Sequence, residues 1–125
     1  MVNNKRPVNL QLTTIRFPLP AIVSILHRAS GVLVFLAIPL LLWVLRDSLQ
    51  TRTGFYTVSQ CLTQPFMKFV IWVVLSGLIY HLVAGIRHLF MDAGYCEELA
   101  AARRCSIWTL ASSIILIILA GVWLW

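Results

Sequence analysis

Three long stretches without a charged residue dominate this sequence. They comprise the 17 residues from Ala29 to Leu45, the 18 from Phe69 to Ile86 and the 21 from Cys105 to Trp125. A helix needs about 20 apolar residues to cross a bilayer, within a range of about 17 to 25. Hydrophobic residues make up 60% of the chain and charged residues 11%, a composition that a small water-soluble domain could not bury. The sequence therefore predicts an all-α membrane protein with three transmembrane helices.

Prolines and charged residues indicate where the three spans begin and end. Pro20 is tolerated in the opening turn of a helix, so the first helix is predicted at about 20–45, with Arg28 inside it. The second is predicted at about 65–91, beginning at Pro65, and the third at about 105–125. Residues 1–19 mix apolar and polar positions and are predicted to form an interfacial arm. Together, residues 1–125 are predicted to form a single membrane-anchor domain.

Basic residues are distributed unevenly between the two sides of the membrane that three crossings define. Seven lie on the side of the N-terminus and three on the other; in that order they are Lys5, Arg6, Arg16, Arg28, Arg87, Arg103 and Arg104, then Arg46, Arg52 and Lys68. Because cytoplasmic segments are enriched in Lys and Arg, the N-terminus is predicted to be cytoplasmic. The net charge of +6 is attributed to this topology, and we expect membrane lipid rather than nucleic acid around the chain.

The N-terminal segment has no apolar signal core and no cleavage site. A transit peptide would be longer and richer in arginine. We therefore expect direct insertion as a multi-pass protein into a bacterial inner membrane.

Two polar stripes interrupt the first two spans. The first comprises Ser24, His27, Arg28 and Gly31, and the second comprises His81, Gly85, His88 and Asp92. Both spacings return to one helix face, and an ionisable group at depth in the membrane costs at least about 2–3 kcal/mol. Both stripes open towards the same predicted side, so they can face each other across a shared cavity. A ligand with an apolar body and anionic arms suits such a cavity, as a haem with its propionates does.

The spacing alone leaves two roles open for His81. A histidine in a membrane can simply hydrogen-bond a neighbouring helix, whereas Gly85 one turn away favours ligation because it lets a flat macrocycle approach closely. His81 and His88 lie about 10.5 Å apart along one face, so they cannot bind one iron from opposite sides. The second ligand comes from His27 or from another subunit. We favour another subunit, which would also complete the helix bundle.

Two motifs make the chain resemble a known family. The first is RPV, from Arg6 to Val8, followed by SILHRAS, from Ser24 to Ser30. The second is HLVAGIRHLFMDAG, from His81 to Gly94. In content, order and spacing these motifs resemble the cytochrome b membrane subunit of bacterial succinate dehydrogenase, the succinate:quinone oxidoreductase of respiratory Complex II. The similarity covers essentially the whole chain.

The resemblance implies that the chain anchors a soluble catalytic pair to the membrane. That pair would be a flavoprotein that oxidises succinate and an iron–sulfur protein that carries electrons towards the bilayer. A second small membrane-anchor subunit would share a haem b with this chain, and His81 would be one axial ligand. Ubiquinone would be the substrate that is reduced. The chain has no flavin site, nucleotide-binding glycine loop or cysteine cluster of its own, so it would contribute to the enzyme without performing the flavin chemistry.

The resemblance also implies roles for the other residues of the two stripes. Ser24 and Arg28 would line the ubiquinone site, because a hydroxyl and a guanidinium can stabilise negative charge that develops on the quinone oxygens. His27 and Arg28 would lie beside the haem propionates. His88 and Asp92 belong to the same motif and are expected near the propionates or around the ligand.

Three other functions stay open on the sequence. The chain could anchor a fumarate reductase, or it could be a haem-free structural anchor in which the polar stripes only dock partner helices. It could also be a small proton-coupled transporter with His81 and Asp92 as a relay.

Overall fold

The computed structural model describes residues 16–125, which form four α-helices and no strand. They are α1 (Leu19–Gln50), α2 (Arg52–Thr63), α3 (Pro65–Asp92) and α4 (Leu99–Leu124). The helices α1, α3 and α4 are long and apolar enough to cross a membrane. The prediction of an all-α fold with three membrane-spanning helices is confirmed. Most of the predicted interfacial arm, residues 1–15, lies outside the described residues.

The long helices extend beyond the uncharged stretches that predicted them. α1 begins after Pro18, with Pro20 in its first turn, and continues five residues past Leu45 to Gln50. α4 begins at Leu99, six residues before the predicted start at Cys105. Arginine and glutamine are good helix formers. A charged or polar residue at the end of an uncharged stretch therefore does not end the helix.

The short helix α2 was not predicted. Thr51 accepts a hydrogen bond from the Gly54 N–H at 2.9 Å and caps its first turn. At 12 residues it is too short to cross a bilayer. One stripe, formed by Gly54, Val58 and Leu62, is half-buried, while Phe55 and Tyr56 are exposed. Because α2 joins the end of α1 to the start of α3, it lies on the side of the membrane opposite to the α3–α4 connection.

The connection between α3 and α4 is short and tightly turned. Gly94 adopts a left-handed φ of 84°, and the Tyr95 N–H donates to the Phe90 carbonyl at 2.9 Å. This is the usual way for a glycine to end a helix. Cys96 follows with a φ of 64° and forms a disulfide with Cys105 of α4. The disulfide joins the connection to the first part of α4.

Small residues form the interfaces between the long helices. The buried residues are Val23, Ser30 and Ala37 of α1, Gly77, Ala84 and Arg87 of α3, and Ala102, Ser106, Thr109 and Ser113 of α4. Apart from Val23 and Arg87 these residues are small, and small residues let helix backbones approach closely in a membrane. The large apolar side chains point outwards; Phe35, for example, is 71% exposed and Val122 is 74% exposed. This outer surface requires lipid or partner helices to cover it.

Candidate functional site

The three histidines of the chain form one cluster between α1 and α3. The His27 ring stacks on the His81 ring, with 4.2 Å between their centroids and 18° between their planes. On its other side, the His27 ring lies 5.0 Å from the His88 ring at a tilt of 38°. All three side chains are half-buried. The histidines of the two polar stripes therefore pack against each other instead of facing each other across a cavity, and His27 lies between the two histidines of α3.

Glycines allow the histidine rings to approach the opposite helix. A Cβ atom on Gly31 would lie 3.0 Å from Cε1 of His81, which is closer than ordinary van der Waals contact. A Cβ atom on Gly85 would lie 3.6 Å from Nε2 of His27, an ordinary contact distance. Gly31 is thus the glycine against which the His81 ring packs, whereas the sequence had directed attention to Gly85.

Hydrogen bonds hold one edge of the His81 ring. Its Nδ1 atom lies 3.1 Å from the Ser30 hydroxyl and 3.2 Å from the His27 carbonyl oxygen. The Ser30 hydroxyl itself donates to that carbonyl at 2.7 Å. From the sequence, Ser30 was only the last residue of a motif, whereas the structure shows that it contacts His81 directly.

The cluster has the donor chemistry that a haem iron uses, but it does not enclose a metal ion by itself. Neutral imidazole nitrogens are common axial ligands of haem, and Nε2 of His27 is buried without a hydrogen-bond partner among the described residues. Within residues 16–125, no three His, Cys, Asp or Glu side chains converge to hold a metal ion. Because the His27 and His81 rings are stacked, no ligand fits between them. A ligand would have to approach a ring nitrogen from outside the pair. This arrangement fits one axial ligand per chain.

The other predicted site residues lie at one end of the same two helices. Ser24 is half-buried on α1, and Arg28, one turn further on, is exposed. Asp92 is exposed and is the last residue of α3. Ser24 and Arg28 thus share a face of α1 next to the histidine cluster, since His27 adjoins Arg28 directly.

Arg87 occupies a position that the sequence did not predict. It is only 4% exposed, and none of its three guanidinium nitrogens has a hydrogen-bond partner among the described residues. Tyr80, two turns earlier on α3, donates its hydroxyl to the Val23 carbonyl of α1 at 2.9 Å. The sequence placed Arg87 beside the polar stripe, and that one-residue offset turns it away from the histidines and into the packed bundle.

A comparison with protein families decides what kind of chain this is. The family model described as the succinate dehydrogenase/fumarate reductase transmembrane subunit matches residues 2–120. The chain belongs to this family. The resemblance inferred from the two motifs is confirmed, and so is a multi-pass location in the inner membrane.

Individual relatives in the family cover between 78% and 99% of the chain. The succinate dehydrogenase cytochrome b556 subunit of Coxiella burnetii is 43% identical over 125 residues, which are 99% of this chain and 100% of the relative. The subunit of the same name from Paracoccus denitrificans is 36% identical over 91% of this chain and 88% of its own length. The cytochrome b560 subunit of Reclinomonas americana is 31% identical over 78% of this chain and 72% of its own. The chain is therefore similar to cytochrome b subunits of succinate dehydrogenase along most of its length.

Proposed function

We propose that this chain is the haem b-binding membrane anchor of a succinate:quinone oxidoreductase. Its family membership and its relatives, which are named as cytochrome b subunits, support this proposal. The observation that carries it is the histidine cluster, because ionisable side chains between hydrophobic helices are costly and usually mark a functional site. The partners are a flavoprotein subunit, an iron–sulfur subunit and a second small membrane subunit.

His81 is the proposed axial ligand of the haem. Its ring is held at Nδ1, which leaves the other nitrogen to act as ligand. His27 is a poor candidate for the opposite ligand, because its ring stacks on that of His81 at 4.2 Å and leaves no room for a macrocycle between them. A second ligand would then have to come from the other membrane subunit. Bound in this way, haem b supplies a centre that accepts and returns one electron.

Cationic and polar groups near His81 are proposed to contact the haem propionates. His27 stacks on His81, and His88 lies against His27; Arg28 adjoins His27 on α1. A guanidinium forms charge-assisted hydrogen bonds with carboxylates, and an imidazole N–H can also donate to them. Asp92, at the end of α3, is proposed to orient Arg28.

Replacement of His81 tests the haem assignment directly. His81→Leu is expected to remove or strongly change the b-type signal in a reduced-minus-oxidised spectrum of the assembled complex. His88→Leu is the matched control, because His88 lies on the same helix and in the same cluster and should retain bis-histidine ligation. An unchanged low-spin spectrum in the His81→Leu complex would show that another residue is the ligand.

Ser24 and Arg28 are the proposed ubiquinone-binding residues. They lie one turn apart on α1, so a hydroxyl and a guanidinium can reach one carbonyl oxygen from the same face. Reduction of a quinone places negative charge on that oxygen, and fixed donors stabilise it. Arg28 is exposed on this chain, which suits a site that a docked partner completes.

A ratio of two activities tests the quinone assignment. Arg28→Leu removes a charged donor, and we expect quinone reduction to fall about 100-fold or more, with a smaller fall for Ser24→Ala. Succinate oxidation with a soluble artificial acceptor should persist, because the flavin chemistry lies in another subunit. If Arg28→Leu leaves the ratio of quinone to artificial-acceptor activity unchanged in an assembled complex, the quinone binds elsewhere.

The soluble partners are proposed to dock at the end of the bundle where α1 and α4 begin. Pro18, Leu19, Leu99, Arg103 and Arg104 line one cavity there, so the first turns of the two helices lie together. The seven-to-three distribution of basic residues favours a cytoplasmic location for this end. The soluble flavoprotein and iron–sulfur protein are then on the side where they are synthesised.

Two other functions are compatible with the same fold. The family description also covers fumarate reductase, but the relatives above are named for succinate dehydrogenase, and we favour that enzyme. A haem-free structural anchor would give no b-type signal in the purified complex, so the spectrum of the wild-type complex separates it from our proposal.

A further inference from the structure

We infer that Ser30 is a positioning residue for His81, whose hydroxyl holds the imidazole in the tautomer that leaves Nε2 free to bind iron. This inference rests on the proposed function, because it takes His81 to be an axial ligand. Ser30 is 8% exposed and lies on α1, facing the ring from the opposite helix. Its Oγ atom is the only side-chain atom among the described residues that hydrogen-bonds to Nδ1 of His81.

The hydrogen bonds around Nδ1 define where the protons are. A carbonyl oxygen can only accept, and the His27 carbonyl lies 3.2 Å from Nδ1 of His81. If Nδ1 carried no proton, two lone pairs would face each other at that distance, which is unfavourable. The Ser30 hydroxyl proton is already directed at the same carbonyl, at 2.7 Å, so a lone pair of Oγ faces Nδ1. Nδ1 therefore carries the proton and shares it between Ser30 and the carbonyl.

This proton arrangement determines the chemistry of the other ring nitrogen. A neutral imidazole with a proton on Nδ1 has its free lone pair on Nε2, which is then the metal-binding atom. The Gly31 backbone and the stacked His27 ring restrict movement of the His81 ring on other sides. Rotation of the ring would move Nδ1 away from both acceptors. Ser30 thus contributes to both the tautomer and the orientation of the ring.

A hydrogen-bonded Nδ1–H also makes the ligand more basic. Acceptors at the outer nitrogen raise the basicity of a metal-bound histidine, and their loss typically costs 10–100-fold in metal affinity or activity. A more basic ligand favours ferric over ferrous iron. Because the His27 carbonyl remains when Ser30 is replaced, we expect an effect near the lower limit. If the whole of a tenfold loss fell on ferric iron, the midpoint potential would rise by about 59 mV, which is the upper bound of the expected shift.

The test is a redox titration of the haem in assembled complexes that carry single substitutions. Ser30→Ala should raise the midpoint potential, and Ser30→Thr, which restores a hydroxyl, should return it towards the wild-type value. Ser113→Ala is the matched control, because Ser113 is 1% exposed and donates to the Thr109 carbonyl within α4. It should leave the potential unchanged. The inference is overturned if Ser30→Ala titrates at the same potential as the wild type and Ser113→Ala.

The result with His81→Leu separates the inference from the proposed function. If His81→Leu abolishes the haem signal while Ser30→Ala changes nothing, the role of Ser30 is refuted and the haem assignment stands. If His81→Leu keeps the wild-type spectrum, both are refuted. The flavin content of the membranes reports assembly independently of haem. Should Ser30→Ala fail to assemble, Ser30→Cys keeps the shape of the side chain with a slightly larger and more weakly hydrogen-bonding group, and it must shift the potential in the same direction.

Discussion

Alanine in place of Gly31 is expected to displace the His81 ring and weaken haem binding. The added Cβ would lie 3.0 Å from Cε1 of His81, so the ring must move by a few tenths of an ångström. Overpacking of this kind costs about 1–3 kcal/mol. Because a displaced ring would escape this cost, returning it to the ligating position would lower haem affinity by at most about 5-fold to 150-fold. The assay is the ratio of haem to flavin in assembled complexes, measured as haem synthesis in the cells is progressively limited.

Two other glycines of the same helix pair provide matched controls for Gly31→Ala. Gly85→Ala adds a Cβ at 3.6 Å from Nε2 of His27, which is ordinary contact, and should bind haem with the wild-type affinity. Gly77→Ala places its Cβ 2.5 Å from Cδ2 of Leu33, so it perturbs helix packing without touching a histidine. All three gain about 0.5–1 kcal/mol of helix stability from the loss of glycine, so this term cancels in the comparison. Equal haem loss in Gly31→Ala and Gly77→Ala would refute the role of ring contact.

Two further predictions concern the topology and the packing of the bundle. The exposed Cys61 of α2 should react with a membrane-impermeant maleimide added outside intact spheroplasts, and Cys61→Ser should abolish the signal. Labelling only after lysis would show that the orientation is the reverse of the one proposed. Tyr80→Phe removes a hydrogen bond of 2.9 Å to the backbone of α1 and should lower the stability of the assembled complex by about 1 kcal/mol, measured by thermal inactivation. Tyr95→Phe, at an exposed site, should not lower this stability. Equal effects of the two substitutions would show that the Tyr80 hydrogen bond does not stabilise the bundle.

The sequence was sufficient for the three long helices because lipid selects them by length and apolarity alone. The 17 to 21 uncharged residues of each stretch need no information from neighbouring elements. The two stripes could be predicted for a similar reason, since helical spacing alone brings His81 and His88 to one face. The same rule could not reveal α2, whose 12 residues mix polar and apolar side chains and depend on a threonine cap.

Contacts between helices were harder to predict because they depend on how each helix is rotated about its axis. The stacking of His27 on His81 and the hydrogen bond from Ser30 are both contacts of this kind. Arg87 shows the same difficulty. A step of one residue turns a side chain by about 100° around the helix, and this rotation buries the Arg87 side chain. The pairing of Cys96 with Cys105 depends on the left-handed turn between α3 and α4, which three sparse cysteines do not indicate.

The bridge between Cys96 and Cys105 makes the covalent structure of the chain depend on where and how the protein is handled. In the proposed orientation these cysteines lie on the cytoplasmic side, where glutathione and thioredoxin keep thiols reduced. In a growing cell both would then be free thiols, and the bridge would form once the cells are broken in air. Membranes prepared with and without a thiol reductant would therefore contain two covalent forms of one polypeptide. The stabilities of variants can then be compared only between preparations that contain the same form.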